Sequence, residues 1–106
     1  MKRVTPFQEK VYGALAGVPR GRVISYRGLA RRLGCPGGAR AVGRALRENP
    51  LAPHLPCHRV IGSDGRIGGF RGAVAGPEIA RKRELLAAEG VKFDENGRLR
   101  EPSRML

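Results

Sequence analysis

Along the first half of the chain, apolar residues return with a helical period. Phe7, Val11 and Leu15 recur every four residues with Ala14 beside them, lining one face of an amphipathic helix from about Pro6 to Ala16. Thr5 and Pro6 form its start signal: a hydroxyl that can cap a free amide, then a ring whose missing N–H is not needed at the first helical position. Pro19-Arg20-Gly21 turns the chain, and Val23-Ile24 is a short extended piece. Ser25 caps a second helix, roughly Tyr26 to Leu33, which Gly34 stops. Beyond Pro36-Gly37-Gly38, the run "ARAVGRALRE" predicts a third helix from about Ala39 to Glu48. Arg40, Arg44 and Arg47 lie at i, i+4 and i+7 on one of its faces, with Val42, Ala45 and Leu46 toward the other.

In the second half the helical period is lost until near the end. Asn49-Pro50 closes the third helix, and "LAPHLP" is a Pro-rich loop leading to Cys57 and His58. Val60-Ile61 and Arg66-Ile67, separated by Gly62-Ser63-Asp64-Gly65, predict a hairpin with Asp-Gly at its turn. "GGFRG" (68–72) is a Gly-rich loop. Pro77 opens a last helix, about 77–89, with Ile79, Leu85 and Leu86 apolar and Gly90 as its stop. The tail, 91–106, either forms one more hairpin around Asn96-Gly97 or frays. The expected fold is mostly α with a small β-hairpin, a winged-helix-like helix-turn-helix domain. Its parts are a helix-turn-helix at about 26–48, a loop at 49–62, the last helix and the tail.

Size and charge narrow the function. At 106 residues the chain makes one small domain, whose core must be filled by Leu, Val, Ile and Ala because aromatics are few and Trp is absent. It has no apolar run near the ~20 residues that span a membrane, and no apolar stretch follows the basic N-terminus as in a signal peptide. Two cysteines make no disulfide framework, so a cytoplasmic chain with reduced thiols is expected. Twenty-one basic residues oppose nine acidic ones, for a net charge of +12, and no acidic residue falls between Lys10 and Arg47. That asymmetry is the footprint of a phosphate-backbone binder. On the third helix, small Ala39, Ala41 and Gly43 would let the backbone approach a groove closely; its competing reading is a solvated surface helix.

At Pro56-Cys57-His58 three chemistries compete. In a strand the two side chains would point to opposite faces, so a turn is needed if they are to cooperate. A nucleophilic cysteine needs a base or cation, which His58 and Arg59 supply, and the base wants an orienting carboxylate, for which Glu89 is a candidate. A metal site would have to draw on Cys35, His54, Cys57 and His58, whose spacing matches no familiar zinc pattern. A buried, inert thiol is the third reading, and it is the one adopted for Cys35.

"PCHRV" (56–60), "SYRGLA" (25–30), "ARAVGRALRENP" (39–50), "GGFRG" (68–72) and "LLAAEG" (85–90) resemble the C-terminal domain of the 6-O-alkylguanine-DNA alkyltransferases, in that family's order and spacing. The resemblance runs from about Phe7 to Val91. It implies that Cys57 accepts an alkyl group from guanine in a single-turnover reaction that needs no cofactor and no metal. It further implies that His58 activates Cys57 through a water, that Glu89 orients His58, and that Asn49 braces the turn before the loop. Tyr26 would donate to the guanine ring, while Val60, Phe70 and Arg71 would line the base pocket. Arg40 matches the family's arginine finger, which fills the stack when the nucleotide is flipped out through the minor groove of duplex DNA. Arg44 and Arg47 join Ala39, Ala41 and Gly43 on the DNA face.

The match departs from the family in two respects. Family members usually carry another domain before this one, whereas here the chain starts at the alkyltransferase domain, and Phe70 stands where Tyr is frequent. Short alkyltransferase-like relatives bind alkylated DNA without repairing it, recruit excision repair and typically replace the cysteine with Trp or Ala. Retention of Cys57 favours transfer by a monomer in the cytoplasm or, in a eukaryote, the nucleus; the lesion-binding protein is the alternative. A plain helix-turn-helix transcription factor ranks third, since it would need no Cys-His-Glu set.

Overall fold

A computed structural model describes residues 4–48, 55–69 and 75–106. Helix α1 spans Pro6–Ala16 as its period predicts. Its entry is tighter than the sequence alone indicated: Thr5 Oγ1 accepts from the Gln8 amide while Gln8 Oε1 accepts from the Thr5 amide, a reciprocal capping box. Strand β1 (Ile24–Ser25) runs into α2 (Tyr26–Arg32), where the Ser25 hydroxyl caps the Gly28 amide at 2.8 Å. Gly34, at φ +73, ends that helix. The turn then folds under α3 (Ala39–Arg47) so closely that a Cβ on Gly38 would lie 3.0 Å from the Cys35 carbonyl oxygen. Val11, Leu15, Val18, Leu29, Ala30, Val42 and Ala45 pack these three helices around one apolar cluster. The Tyr12 hydroxyl, buried among them, donates to the Ala45 carbonyl at 2.8 Å and ties α1 to α3.

A 3-10 turn at Cys57–Arg59 leads into β2 (Val60–Ile61), followed by α4 (Pro77–Ala88) and a second 3-10 turn at Pro102–Arg104. Here the hairpin expectation needs correcting. The 62–65 turn does form, closed by the Gly62 amide on the Arg66 carbonyl at 2.8 Å, but β2 pairs in parallel with β1, Ile24 opposite Val60 and Ser25 opposite Ile61. The reason is burial. Val60 and Ile61 are both fully covered, which an exposed two-stranded hairpin cannot provide. Ile24 and Val60 face the three-helix cluster, while Val23 and Ile61 face a second one with Leu86, Val91 and Phe93. The short sheet is thus a partition between two cores. Arg66-Ile67 instead meets the tail: Arg66 bridges Arg98, and the Ile67 amide donates to the Gly97 carbonyl at 3.0 Å. The tail does not fray. It makes the hairpin around Asn96-Gly97, and Met105 then lies parallel to Val23. Among the described residues no helix is long and apolar enough to cross a membrane.

Candidate active site and nucleic-acid face

Pro56 provides the turn that the Cys-His pair needs. With φ −82 and ψ 60 it makes a three-residue turn in which the Cys57 amide donates to the Leu55 carbonyl at 2.9 Å. The Arg59 amide then donates to the Pro56 carbonyl, winding Cys57, His58 and Arg59 into one turn of 3-10 helix. A turn of this kind spreads successive side chains by about a third of a circle, rather than opposing them as a strand does. Cys57 is half-buried at the edge of the first cluster, and neither it nor Cys35 is in a disulfide.

Glu89 caps α4, a position where an anion meets the negative end of the helix dipole. Two side chains from the 3-10 turn, a histidine and an arginine, offset this. His58 Nε2 stands 2.6 Å from Glu89 Oε2, and the Arg59 guanidinium grips both oxygens, Nε to Oε1 at 2.8 Å and Nη2 to Oε2 at 3.0 Å. The Glu89 side chain is only 6% exposed. Burial pushes its carboxyl up, but the hydrogen bonds from Arg59 and His58 outweigh burial and hold it down to about 2. An ionised carboxylate only accepts, so His58 Nε2 carries the hydrogen; in the neutral ring Nδ1 then keeps the lone pair and can take a proton. Arg59 also donates to the Val18 carbonyl at 2.8 Å, anchoring the turn to the helical core. Reading Arg59 only as a cation at hand for the thiol missed this: its partner is the Glu89 carboxylate.

Tyr26 lies at the start of α2, half-buried, between α3 and Gly68-Gly69. Its ring packs near both Gly43 and Gly68, and its hydroxyl donates to the Gly69 carbonyl at 3.4 Å. Burial and the nearby charge of Cys57 push its hydroxyl above the usual 10, so at neutral pH it is a donor. Val60 is fully buried in the strand that follows the 3-10 turn. Cys57, His58, Glu89, Tyr26 and Val60 thus gather around β2 and its approaches. Asn49, Phe70 and Arg71, like His54, lie outside the described residues.

On α3 the predicted faces are realised. Arg40, Ala41, Arg44 and Arg47 are exposed, and Val42 and Ala45 are buried. Ala39 and Gly43 are half-buried, and Gly43 turns toward the Tyr26 ring rather than standing clear on the outer face. Cys35 is exposed on the turn before α3, and among the described residues no three His, Cys, Asp or Glu side chains cluster as metal ligands do.

Lys82 was not among the candidates. It sits between two arginines in a run that looks solvated, yet it is fully buried, with Nζ donating to the carbonyls of Val60 at 2.7 Å, Ile67 at 2.5 Å and Gly69 at 2.9 Å. The signal was its helical phase: three residues after Ile79 and four before Leu86, it falls on the apolar stripe of α4.

Residues 6–91 match the family described as "6-O-methylguanine DNA methyltransferase, DNA binding domain". The methylated-DNA–protein-cysteine methyltransferase of Salmonella typhimurium is 49% identical over 86 residues, which is 81% of this chain and 47% of that protein. The one from Mycobacterium tuberculosis is 47% identical over 87 residues, 82% of this chain and 50% of that protein. The chain therefore spans about half the length of the curated relatives it matches. Among solved structures, M. tuberculosis OGT in complex with DNA superposes with a TM-score of 0.73 at 47% identity, covering 82% of this chain and 51% of that one. Schizosaccharomyces pombe Atl1 in complex with DNA containing O6-carboxymethylguanine superposes at 0.80 and 36% identity, covering 99% of this chain and 98% of that one.

Proposed function

The chain belongs to the 6-O-methylguanine-DNA methyltransferase family, and from that premise we propose that it repairs DNA by moving an alkyl group from guanine oxygen to Cys57. One observation carries the reading: His58, beside Cys57 on the 3-10 turn, is held at 2.6 Å by a carboxylate that stays ionised. The proton of Cys57 passes to His58 Nδ1 through a water, and Glu89 stabilises the imidazolium that forms. The thiolate attacks the alkyl carbon; a sulfur–carbon bond forms as the carbon–oxygen bond breaks. Guanine leaves with the electron pair, and the Tyr26 hydroxyl donates to it. The thioether has no easy return path, so each molecule acts once.

The target nucleotide must leave the duplex, which costs a few kcal/mol. Arg40 fills the gap from the minor groove, and Arg44, Arg47 and the small surface of Ala39, Ala41 and Gly43 carry α3 close to the backbone. Asn49 braces the turn into the loop, and Val60, Phe70 and Arg71 line the pocket. The workplace is the DNA-associated cytoplasmic pool, or the nucleus in a eukaryote. The similarity to Atl1 over nearly all of both chains favours one second reading, a lesion-binding protein that recruits excision repair.

Incubation with a duplex holding one 6-O-methylguanine, followed by intact-mass measurement, separates the two. A gain of one methylene on the protein, absent in Cys57→Ser, is the expected result. Tight lesion binding with no mass change would leave the second reading in its place.

A further inference from the structure

Under the proposed function the base enters beside Tyr26 and Gly68-Gly69, which stand close together. A Cβ on Gly68 would lie 3.5 Å from the Tyr26 ring, and the Tyr26 hydroxyl donates to the Gly69 carbonyl at 3.4 Å. Two adjacent glycines cannot hold such a wall by themselves. They bring no side chains to pack, and a glycine backbone, here at φ +72 for Gly68, has the most freedom to lose on ordering. Their order comes through the neighbouring Ile67. Its amide donates to the Gly97 carbonyl at 3.0 Å, the Leu99 amide donates to the Gly65 carbonyl at 2.8 Å, and Arg66 pairs antiparallel with Arg98 between those bonds.

The tail hairpin that supplies these partners is itself firmly closed. The Arg100 amide donates to the Lys92 carbonyl at 3.0 Å, Phe93 pairs with Leu99, and the Asp94 carboxylate accepts from the Asn96 and Arg98 amides at 2.8 and 2.9 Å. Phe93 is buried in the second cluster, with Ile67 and Leu99 packed against it. The hairpin, 92–100, lies beyond residues 6–91 that match the family. We propose that it is a specificity-determining element: it holds the Gly68-Gly69 wall close to Tyr26 and so limits the size of the alkyl group that the site takes. The lever is short, since Gly68 directly follows the paired Ile67. Moving the wall outward for a bulkier group has to stretch or break the Ile67–Gly97 bond, a penalty that a methyl group does not incur. Specificity is then a difference between two ligands, set against the larger one.

The inference rests on the reading of this site as one for alkylated guanine, and its test keeps the two apart. Binding is measured by fluorescence anisotropy in the full chain carrying Cys57→Ser, so that no transfer is needed. The duplexes hold 6-O-methylguanine, 6-O-butylguanine or plain guanine at one position. Asp94→Ala, which removes the carboxylate closing the hairpin, should improve butyl binding relative to methyl binding roughly fivefold, the worth of about one ladder hydrogen bond. Glu95→Ala, exposed on the same turn, should leave the ratio where it was. A loss of stability or a change in net charge acts on both lesions alike, so the ratio reports the wall alone. An unchanged ratio in folded Asp94→Ala overturns the proposal. Should that variant fail to fold, amide hydrogen exchange in the chain carrying only Cys57→Ser decides the matter. The Ile67 and Leu99 amides should exchange faster in the butyl complex than in the methyl complex, and equal rates overturn the proposal. A preference for the lesions over plain duplex with a fixed ratio would sink this inference alone. No preference for either lesion would sink the reading of the site, and this inference with it.

Discussion

The three-helix half and the half built around β2 and α4 are held together by different means. In the first, Leu15, Leu29, Val42 and their neighbours form one apolar cluster, and its buried hydroxyl, Tyr12, makes a single bond to Ala45. In the second, a smaller cluster of Val23, Ile61, Leu86, Val91 and Phe93 is flanked by a buried ammonium on three carbonyls and a carboxylate gripped by Arg59 and His58. Apolar packing tolerates small shifts, because burial has no direction. A charge-assisted hydrogen bond fixes distance and orientation, and an unmade one is costly in a dry site. The candidate site, Cys57-His58-Glu89, sits in the half with the directional bonds.

If that contrast is right, stability and reactivity separate. Leu15→Ala, at a fully buried position, should cost about 3 kcal/mol in denaturant unfolding while leaving the pH profile of Cys57 alkylation unmoved in the molecules that stay folded. A shifted profile would mean that the helical cluster also tunes the site. Glu89→Gln should cost about 2 kcal/mol, less than the ~3–5 of a fully buried pair because His58 and Arg59 are partly exposed, and it should alter the profile. It should also change the response to acid. The folded-state value of Glu89, about 2, lies below the usual 4.5, so its contribution is present above pH ~4.5 and is lost as pH falls toward 2. The substituted protein should lack that part of the acid-induced loss in chemical denaturation. Tyr12→Phe should cost about 1 kcal/mol for the lost bond to Ala45, again without a change at Cys57.

The same contrast explains what could be read from the sequence. Helix α1 is fixed by neighbours: Thr5 and Gln8 cap it, and its period selects its buried face, so its bounds follow from eleven consecutive residues. The arginine face of α3 is equally local. The pairing of β2 is not. Gly62-Ser63-Asp64-Gly65 favours a turn and does make one, but whether Val60 bonds to Arg66-Ile67 or to Ile24 depends on which partner buries both its faces. For the Cys57-His58-Glu89 set, the residue types and the need for a turn were legible from Pro56 onward. The grip of Arg59 on Glu89 was not, because it is made by residues 30 positions apart in the chain. Lys82 was hidden by its neighbours: Arg81 and Arg83 are exposed, and only helical phase sets Lys82 apart from them.

The long span between His58 and Glu89, 31 positions, has a consequence in time. Contacts between distant parts of a chain wait on closure of the loop between them, whereas helices form from local contacts. The His58–Glu89 contact and the parallel strand pair behind it therefore belong to the later stages of folding. Until they form, Cys57 is an ordinary thiol on a loose segment. On the proposed function, in which the sulfur is spent once, the site is thereby armed only when the fold around that sulfur is complete.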